Sequence, residues 1–223
     1  MASHLILGAG KFGRLALRRL ARQEDPASFL VVDRDPQALA AAQALKAPRV
    51  QWLAAEAVTF LVEHFSEALL WDWLIPMVPE HVAFAWLRQG PLQGSHWEVI
   101  EVPESVGQGL PYARRGEKGE LYLSRAGHLC PDDCWEPDSV CPVSGESRET
   151  ALFEDLATLK VAGFQVEVIA SRQLAEGVGG YPTRRLAALA QKLKSFKGKV
   201  LIATACRCHG VMHALRRRPE IRL

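Results

Sequence analysis

Several features that would assign a function class are missing from this 223-residue sequence. A membrane-spanning helix needs roughly 20 consecutive apolar residues, and no run approaches that length. The formal net charge is only +2, so there is no electrostatic case for binding nucleic acid or an anionic membrane. The basic stretch from Arg216 to Arg218 is interpreted as the solvated last turn of a helix.

The N-terminus, MASHLILGAG, also lacks the charged, apolar and cleavable regions of a secretion signal. We therefore predict a cytoplasmic protein, in which thiols stay reduced and structural disulfides are not expected. The chain has only five cysteines, and three of them fall within twelve residues. Such a group in a reducing compartment indicates metal binding or redox chemistry rather than a disulfide framework.

Apolar strands alternate with helical patterns along most of the chain, which predicts an α/β fold. We expect a Rossmann-type domain with a mainly parallel sheet over residues 1–103. An irregular Cys-rich segment follows over residues 104–149, where glycine, proline and charge dominate. Residues 150–223 predict a strand–helix–strand–helix unit that could extend the same sheet, with a last helix from about Val211.

A dinucleotide fingerprint stands near the N-terminus. An apolar strand, Leu5 to Leu7, leads into Gly8, Gly10 and Gly13 in G-x-G-x-x-G spacing, and a helical pattern follows. The first glycine permits a tight turn, the second lets backbone approach a pyrophosphate, and the third lets the helix pack closely. The helix N-terminus then offers free N–H groups to the phosphates, so Lys11 and Phe12 within the loop count as cofactor-binding residues.

A second apolar strand ends at Asp33, twenty residues after Gly13. A carboxylate at this position accepts hydrogen bonds from the adenosine ribose and repels a 2′-phosphate, which favours NAD over NADP. Arg34 could instead reach a phosphate, although a solvated loop residue is the preferred interpretation. Asp33 and Arg34 complete the predicted cofactor-binding residues.

This stretch resembles the nucleotide-binding regulatory domains of bacterial potassium channels and transporters. The residues that carry the resemblance are Gly8-Ala-Gly-Lys-Phe-Gly13 and Val31-Val-Asp-Arg-Asp35. The same stretch is similar to the dehydrogenase domain of sirohaem-synthesis enzymes. The resemblance covers about the first forty residues and implies dinucleotide binding.

The cysteine-rich stretch LCPDDCWEPDSVCP places Cys130, Cys134 and Cys141 in C-x3-C-x6-C spacing. Zinc and the irons of iron–sulfur clusters prefer four ligands, so three thiolates need a fourth from elsewhere. Cys208, with Cys206 as the second choice, supplies it, and His209 is an imidazole alternative. The spacing matches neither a ferredoxin run nor a zinc ribbon, so we predict an iron–sulfur cluster and keep zinc as the alternative.

Three further groups are weaker candidates. His81 follows a strand end and could face the cofactor cleft. His209 and His213 stand four residues apart on the presumed last helix, where they could pair on a metal or lie on its surface. The loop Gly177 to Gly180 could let backbone approach a ligand, with Arg184 or Arg185 binding an anionic group there.

Three functions are consistent with these patterns, and whether the chain is an enzyme stays open. The first is an NAD-binding redox protein with an iron–sulfur cluster that exchanges electrons with a redox protein partner. Hydride transfer moves two electrons and a cluster usually one, so a flavin or partner would be needed. The second is an NAD-sensing regulator with a structural zinc, and the third is an NAD-dependent dehydrogenase of tetrapyrrole biosynthesis. A homodimer is an open possibility.

Overall fold

The computed structural model describes residues 1–25, 27–136 and 139–218. The chain forms two compact units, each made of two pieces of sequence: Met1–Pro91 with Arg172–Ala188, and Leu92–Ser171 with Leu189–Leu223. Each unit contains its own sheet and helices, so the α/β class is confirmed. Both sheets mix parallel and antiparallel pairs, so the expected Rossmann-type, mainly parallel sheet is not confirmed. No helix in the described part of the chain is long and apolar enough to span a membrane.

The sheet of the first unit has the strand order β3-β2-β1-β4-β10-β9. Its first four members pair in parallel, and the hairpin of the last two adds antiparallel to β4. The strands are β1 (Ala2–Leu7), β2 (Ala27–Asp33), β3 (Val50–Ala54), β4 (Trp73–Pro76), β9 (Arg172–Ala175) and β10 (Val178–Pro182). Because β1, β2 and β4 run in parallel, their C-terminal ends meet at one edge of this sheet.

The helices of the first unit are α1 (Lys11–Leu20), α2 (Pro36–Gln43), α3 (Ala57–Glu63), α4 (Phe65–Ala68) and α5 (Val82–Gln89). The last four residues of β1 are buried on both faces, as the apolar run Leu5 to Leu7 predicts for a covered parallel strand. Leu17 and Leu20 of α1 pack with Phe29 and Val31 of β2 in one core cluster. Asp35 caps α2, since its side chain accepts from the backbone N–H of Gln37 at 2.9 Å, as the Asp-Pro pair predicts.

The sheet of the second unit has the order β6-β7-β12-β11-β8, and β5 pairs with β12. Only β8 and β11 pair in parallel; the other pairs are antiparallel. The strands are β5 (Trp97–Ile100), β6 (Tyr112–Arg115), β7 (Leu121–Ser124), β8 (Phe164–Ala170), β11 (Lys199–Ala205) and β12 (His209–Arg217). Helix α6 (Leu152–Thr158) belongs to this unit, and α7 (Arg184–Ser195) begins in the first unit and ends in the second.

One face of the second sheet builds the core of its unit. Leu201 and Ala203 of β11 alternate with residues of the opposite face and pack with Met212 and Ala214 of β12. Phe153 and Leu156 of α6 cover this face. The core thus lies directly beneath the turn between β11 and β12, where two of the cysteines are placed.

The predicted last helix is wrong. Residues 209–217 form β12, which pairs with β11 over seven residues and with β5 and β7 as well. The segment has good helix-forming residues, but three pairing partners override local propensity. Consequently Arg216 and Arg217 lie on a strand, and His209 and His213 do not share a helix face.

The predicted boundaries at residues 103 and 149 also differ from those of the units. The glycine-rich stretch of residues 172–182 is a hairpin of the first sheet, and residues 112–124 are strands of the second. The C-terminal strands β8 and β11 form a separate sheet instead of extending the first one. Among the described residues of the expected Cys-rich insert, those from 125 to 149 form its longest irregular stretch, apart from an isolated bridge between Val140 and Ser147.

Candidate functional site

The glycine loop joins β1 to α1 at the edge where the parallel strands end. Its backbone is anchored to both neighbouring strands, because Gly8 N–H donates to Val32 O at 2.7 Å and Met77 N–H donates to Leu7 O at 2.7 Å. Gly8 has a φ of +104°, and a Cβ there would stand 2.7 Å from Met77 O. A side chain at Gly8 is therefore excluded by both conformation and space.

The other two glycines of the loop differ from each other. A Cβ on Gly13 would stand 1.9 Å from Gly8 O, so Gly13 is required for close packing of α1 on the loop. A Cβ on Gly10 would meet nothing within 4 Å, and the φ of Gly10 is −65°. The fold itself therefore does not require glycine at position 10, which leaves open space beside the helix N-terminus.

Asp33, at the end of β2, holds the loop in place. One carboxylate oxygen accepts from Ala9 N–H at 2.6 Å and the other from Asp35 N–H at 2.8 Å. Each carboxylate oxygen can accept a further hydrogen bond, so a ribose hydroxyl could still bind. Arg34 is exposed, and its charge acts on the Glu56 carboxylate that caps α3.

The N-terminus of α1 is electrostatically open to an anion. Its Gly10 cap contributes no side-chain hydrogen bond, and its first turn contains no acidic residue. Lys11 lies over the ring of Phe12, with its ammonium nitrogen 5.0 Å from the ring centroid. The first turn of α1 therefore contributes no carboxylate of its own that would oppose the positive dipole end.

The weaker candidates in this unit have structural roles. His81 is buried at the start of α5 and stacks on Phe84. Gly180 lies in β10, where a Cβ would stand 2.8 Å from Leu174 and 3.0 Å from Leu74 O, so packing requires this glycine. Gly177 to Gly180 is thus part of a hairpin instead of the predicted loop, and its approach to a ligand stays a prediction. Arg184 and Arg185 are exposed at the start of α7.

All five cysteines meet in the second unit. Cys206 and Cys208 occupy the tight turn between β11 and β12, which Cys206 N–H closes by donating to His209 O at 2.8 Å. His209 links this turn to the irregular segment, because its Nε2 lies 3.5 Å from Cys130 Sγ and its Nδ1 lies 4.0 Å from Cys206 Sγ. Cys141 Sγ lies 4.0 Å from Nε2 of His128.

The electrostatics of the thiols show that they are mutual neighbours. Burial, and then the charges of Cys208 and Cys141, raise the pKa of Cys130. Burial and the charges of Cys130, Cys208 and Cys141 likewise raise the pKa of Cys134. Burial raises the pKa of Cys208, and the Arg148 guanidinium partly opposes this effect. The four cysteines predicted as ligands are therefore close enough to act on one another.

Two of the thiols accept backbone hydrogen bonds within tight turns. Cys206 Sγ accepts from the N–H of Cys208 at 3.5 Å and of His209 at 3.3 Å. Burial nevertheless raises the pKa of Cys206 to about 12. Burial also opposes ionisation of Cys141, but donors from Ser144 and the Val143 N–H outweigh it and lower the pKa of Cys141. Hydrogen bonds of this kind stabilise the negative sulfur that a metal ligand carries.

Arg148 is a cation inside the cysteine cluster. It is only 6% exposed, and its Nη1 donates to Cys208 Sγ at 2.5 Å. Its Nη2 is buried and has no hydrogen-bond partner among the described residues, and a carboxylate oxygen of Glu146 lies 3.9 Å away. Arg207 contributes a second buried donor without a partner, its Nε, while its backbone N–H donates to Glu136 at 2.6 Å.

No sequence pattern points to Arg148, Glu136 or His128, because their contacts depend on chain segments that lie far apart in sequence. The structure brings together all the cysteines that the sequence predicts as candidate metal ligands. Within the described residues, however, no group of three or more His, Cys, Asp or Glu side chains is already arranged around one metal position. A metal would therefore have to draw the neighbouring thiols closer together.

The glycine loop and the cysteine cluster can be compared with known proteins. A family model described as "AF_1314_C: Uncharacterized protein, C-terminal domain" matches residues 70–218. The chain belongs to the AF_1314_C family. All five cysteines and Arg148 lie within the matched residues, whereas the glycine loop lies before them.

A relative of this family member extends the similarity to the N-terminal part. A protein of Archaeoglobus fulgidus, described as an uncharacterized protein, is 32% identical over 225 residues, or 96% of this chain and 99% of its own length. The similarity spans the glycine loop and the cysteine cluster together. Neither description states a ligand or an activity.

Proposed function

We propose that the protein is a dinucleotide-binding redox protein whose second unit holds a cysteine-ligated iron–sulfur cluster. Cys130, Cys134 and Cys141 supply three ligands, and Cys208 supplies the fourth. The observation that carries the proposal is the meeting of these four thiols around a buried arginine, although the residues span almost eighty positions. The glycine loop of the first unit binds NAD.

The first unit supports dinucleotide binding through its topology and its backbone. The strand order β3-β2-β1-β4 with helices between the strands is that of a Rossmann half, to which the β9–β10 hairpin is added. Gly8 and Gly13 are required by the loop's conformation and packing, while Gly10 leaves space at the start of α1. This is the arrangement in which a pyrophosphate can approach a helix N-terminus.

The charge of the cysteine site fits a thiolate-ligated metal. Four thiolates with a divalent metal, or with an oxidised iron–sulfur core of charge +2, carry a net charge of −2. A buried charge of this size needs compensating charge and hydrogen bonds. Arg148 and Arg207 supply two positive charges and two buried N–H donors that have no partner. These two N–H donors could therefore form hydrogen bonds of the kind that a buried metal–thiolate group requires.

Cys208 is a better ligand than Cys206 on geometric grounds. Its sulfur faces Arg148, whose charge acts also on Cys141 and Cys130. Cys206 is turned back on its own hairpin, where the N–H groups of residues 208 and 209 bond to its sulfur. In a regular strand, the two cysteines of C-x-C would point to the same face. The turn between β11 and β12 instead places their sulfur atoms in different surroundings.

The cofactors would supply different chemistry. An iron–sulfur cluster, when bound, supplies one-electron transfer. The role of the chain is to hold the thiolates, compensate their charge with Arg148 and limit access of water from the core side. Splitting a hydride into single electrons would need a flavin held by a partner, since hydride transfer moves two electrons.

Metal analysis and nucleotide titration test the proposal together. Protein purified without oxygen should contain iron and sulfide, absorb in the visible range and bind NADH more tightly than NADPH in a calorimetric titration. Variants Cys130→Ser, Cys134→Ser and Cys208→Ser should each lose the metal, whereas Cys206→Ser should retain most of it. Colourless protein with one zinc ion would favour the alternative, an NAD-sensing regulator with a structural zinc. Metal-free protein would contradict both.

A further inference from the structure

Exposed apolar side chains surround the cysteine cluster. Leu129 is 96% exposed and precedes Cys130, while Trp135 is 62% exposed and follows Cys134. Val140 and Val143, about half exposed, flank Cys141. Cys130 and Arg148 both contact the turn between β11 and β12, and Arg148 N–H donates to Ser139 O, so these four side chains belong to one region. Isolated exposed apolar residues are common, but a group around one site marks an interaction surface.

The rest of this region is acidic. Residues 129–149 contain six carboxylates and a single cation, Arg148, which is buried. Asp132, Asp133, Glu146 and Glu149 are exposed. The whole chain has a net charge of +2, so the excess of negative charge in residues 129–149 is local, with Arg207 of the adjoining turn as a second cation beside it. We call Leu129, Trp135, Val140 and Val143 with these four carboxylates the cysteine face.

We infer that the cysteine face is the docking surface for a basic one-electron carrier protein. The inference rests on the proposed function, because an electron carrier must approach the metal centre. Charge complementarity selects the partner: an apolar centre with an acidic rim fits an apolar patch surrounded by lysine and arginine. An acidic carrier would bring like charges together, which is unfavourable, and a neutral carrier would lack the electrostatic attraction.

The composition of the face fits a weak and fast complex. Electron-transfer interfaces are small, so a few side chains must supply most of the affinity. Trp135 is the natural anchor, since exposed tryptophan is enriched among residues whose truncation costs most binding energy. The carboxylates act mainly on the association rate, because opposite charges steer the encounter and salt screens them.

Calorimetric titration of the full-length, metal-loaded protein tests the inference with two probes. A basic c-type cytochrome should bind, an acidic flavodoxin should not, and affinity for the cytochrome should fall at least tenfold between about 20 mM and 300 mM salt. Trp135→Ser should weaken binding by about tenfold or more. The double variant Asp132→Asn, Asp133→Asn should mainly reduce the salt dependence.

Matched controls come from other exposed positions of the second unit. Tyr112→Ser removes an exposed aromatic ring from β6, and Glu104→Gln with Glu117→Gln removes two exposed carboxylates. Neither should change cytochrome affinity. Metal content and NADH binding are measured on every sample. A metal-loaded protein that ignores the cytochrome, or binds both carriers alike, or binds equally well after Trp135→Ser, overturns the docking surface alone. Metal-free protein that passes these tests retains the docking surface and overturns the proposed function.

Discussion

The glycine loop and the cysteine cluster are built in opposite ways. The loop is made of backbone: hydrogen bonds to Val32 and Leu7 and the close approach of Gly13 to Gly8 fix its shape before any ligand binds. The cluster is made of side chains from an irregular segment and from one tight turn. In residues 126–149, the described positions contribute only Ala126, Cys141 and Arg148 to the buried interior.

This difference predicts different responses to ligand. A preformed backbone site is part of the stable sheet, so its ligand adds little to the folding of the first unit. A side-chain site on a segment with little core gains much of its order from the ligand itself, because metal binding and folding are coupled. The proposed metal should therefore stabilise its own surroundings far more than NAD stabilises the glycine loop.

The largest expected effect is that of metal removal. Chelation, or replacement of Cys141 by serine, should raise amide exchange throughout residues 126–149 while exchange in β1 and α1 stays unchanged. NADH affinity, measured on the same samples, is the internal control and should not change. Equal exchange with and without metal would show that the segment is ordered by its polypeptide contacts alone, and the contrast between the two sites would be lost.

Within the first unit, Gly10 and Gly13 allow the effect of a side chain on NADH binding to be separated from its effect on stability. Gly10→Val places a side chain in open space, so stability should change by no more than about 1 kcal/mol, while NADH affinity falls about 100-fold or more because backbone approach is blocked. Gly13→Ala should instead destabilise the unit by about 3 kcal/mol, since its Cβ would meet Gly8 O.

Thermal unfolding and calorimetric titration of both variants separate stability from binding. Metal content serves as the control, because neither glycine is near a cysteine in sequence or belongs to the second unit. If Gly10→Val bound NADH as well as the unchanged protein, the open space beside Gly10 would not be a pyrophosphate site.

Arg148 tests the charge argument in the second unit. Arg148→Met keeps the volume but removes the cation, so metal affinity should fall about tenfold or more because the net charge of −2 loses half of its compensation. The metal-free form should keep its stability or gain some, since a buried donor without a partner disappears. Arg148→Lys should restore part of the affinity.

Competition with a chelator measures the metal affinity of these variants, and Arg114→Met, which removes an exposed arginine from β6, is the matched control. Loss of stability in both the metal-free and the metal-loaded forms would indicate a purely structural role for Arg148. If Arg148→Met bound metal as tightly as the unchanged protein, Arg148 would not be compensating the charge of a metal–thiolate centre.

Sequence patterns predicted the local parts of this fold and missed the distant ones. The strand β1, the glycine loop, α1 and the strand ending at Asp33 follow one another within thirty-three residues, so each is decided by neighbouring positions. The strand β12 was predicted as a helix because its three pairing partners come from other parts of the chain. The hairpin of β9 and β10 was predicted as a loop because β4, with which β10 pairs, is also distant in sequence.

The cysteine cluster shows the same limit at the level of a site. Reduced thiols in a polar segment indicated a common centre, and topology brought Cys206 and Cys208 to it. Arg148 could not be found, because nothing in SGESRET distinguishes a buried arginine from a solvated one before residues 130–148 and 206–209 are folded together. Residue types alone therefore predict the proposed thiolate centre, whereas the burial of Arg148 beside it can be seen only in the structure.

The smallest expected effect concerns Asp33, which both holds the backbone of the glycine loop and offers a side chain to the ligand. Its side chain holds the backbone of the loop at Ala9 and also remains available to a ribose hydroxyl. Asp33→Asn keeps only one oxygen acceptor, so it loses the charge and one of the hydrogen bonds from Ala9 and Asp35. NADH affinity should fall about tenfold, and stability should fall by about 1 kcal/mol. NADPH affinity should change less or rise, because a 2′-phosphate no longer meets a carboxylate.

Titration with both nucleotides measures the ratio of the two affinities, and Asp25→Asn, at an exposed position of the same unit, is the control. A parallel loss of affinity for both nucleotides would show that Asp33 acts only by holding the loop, and the preference for NAD would then have to come from elsewhere.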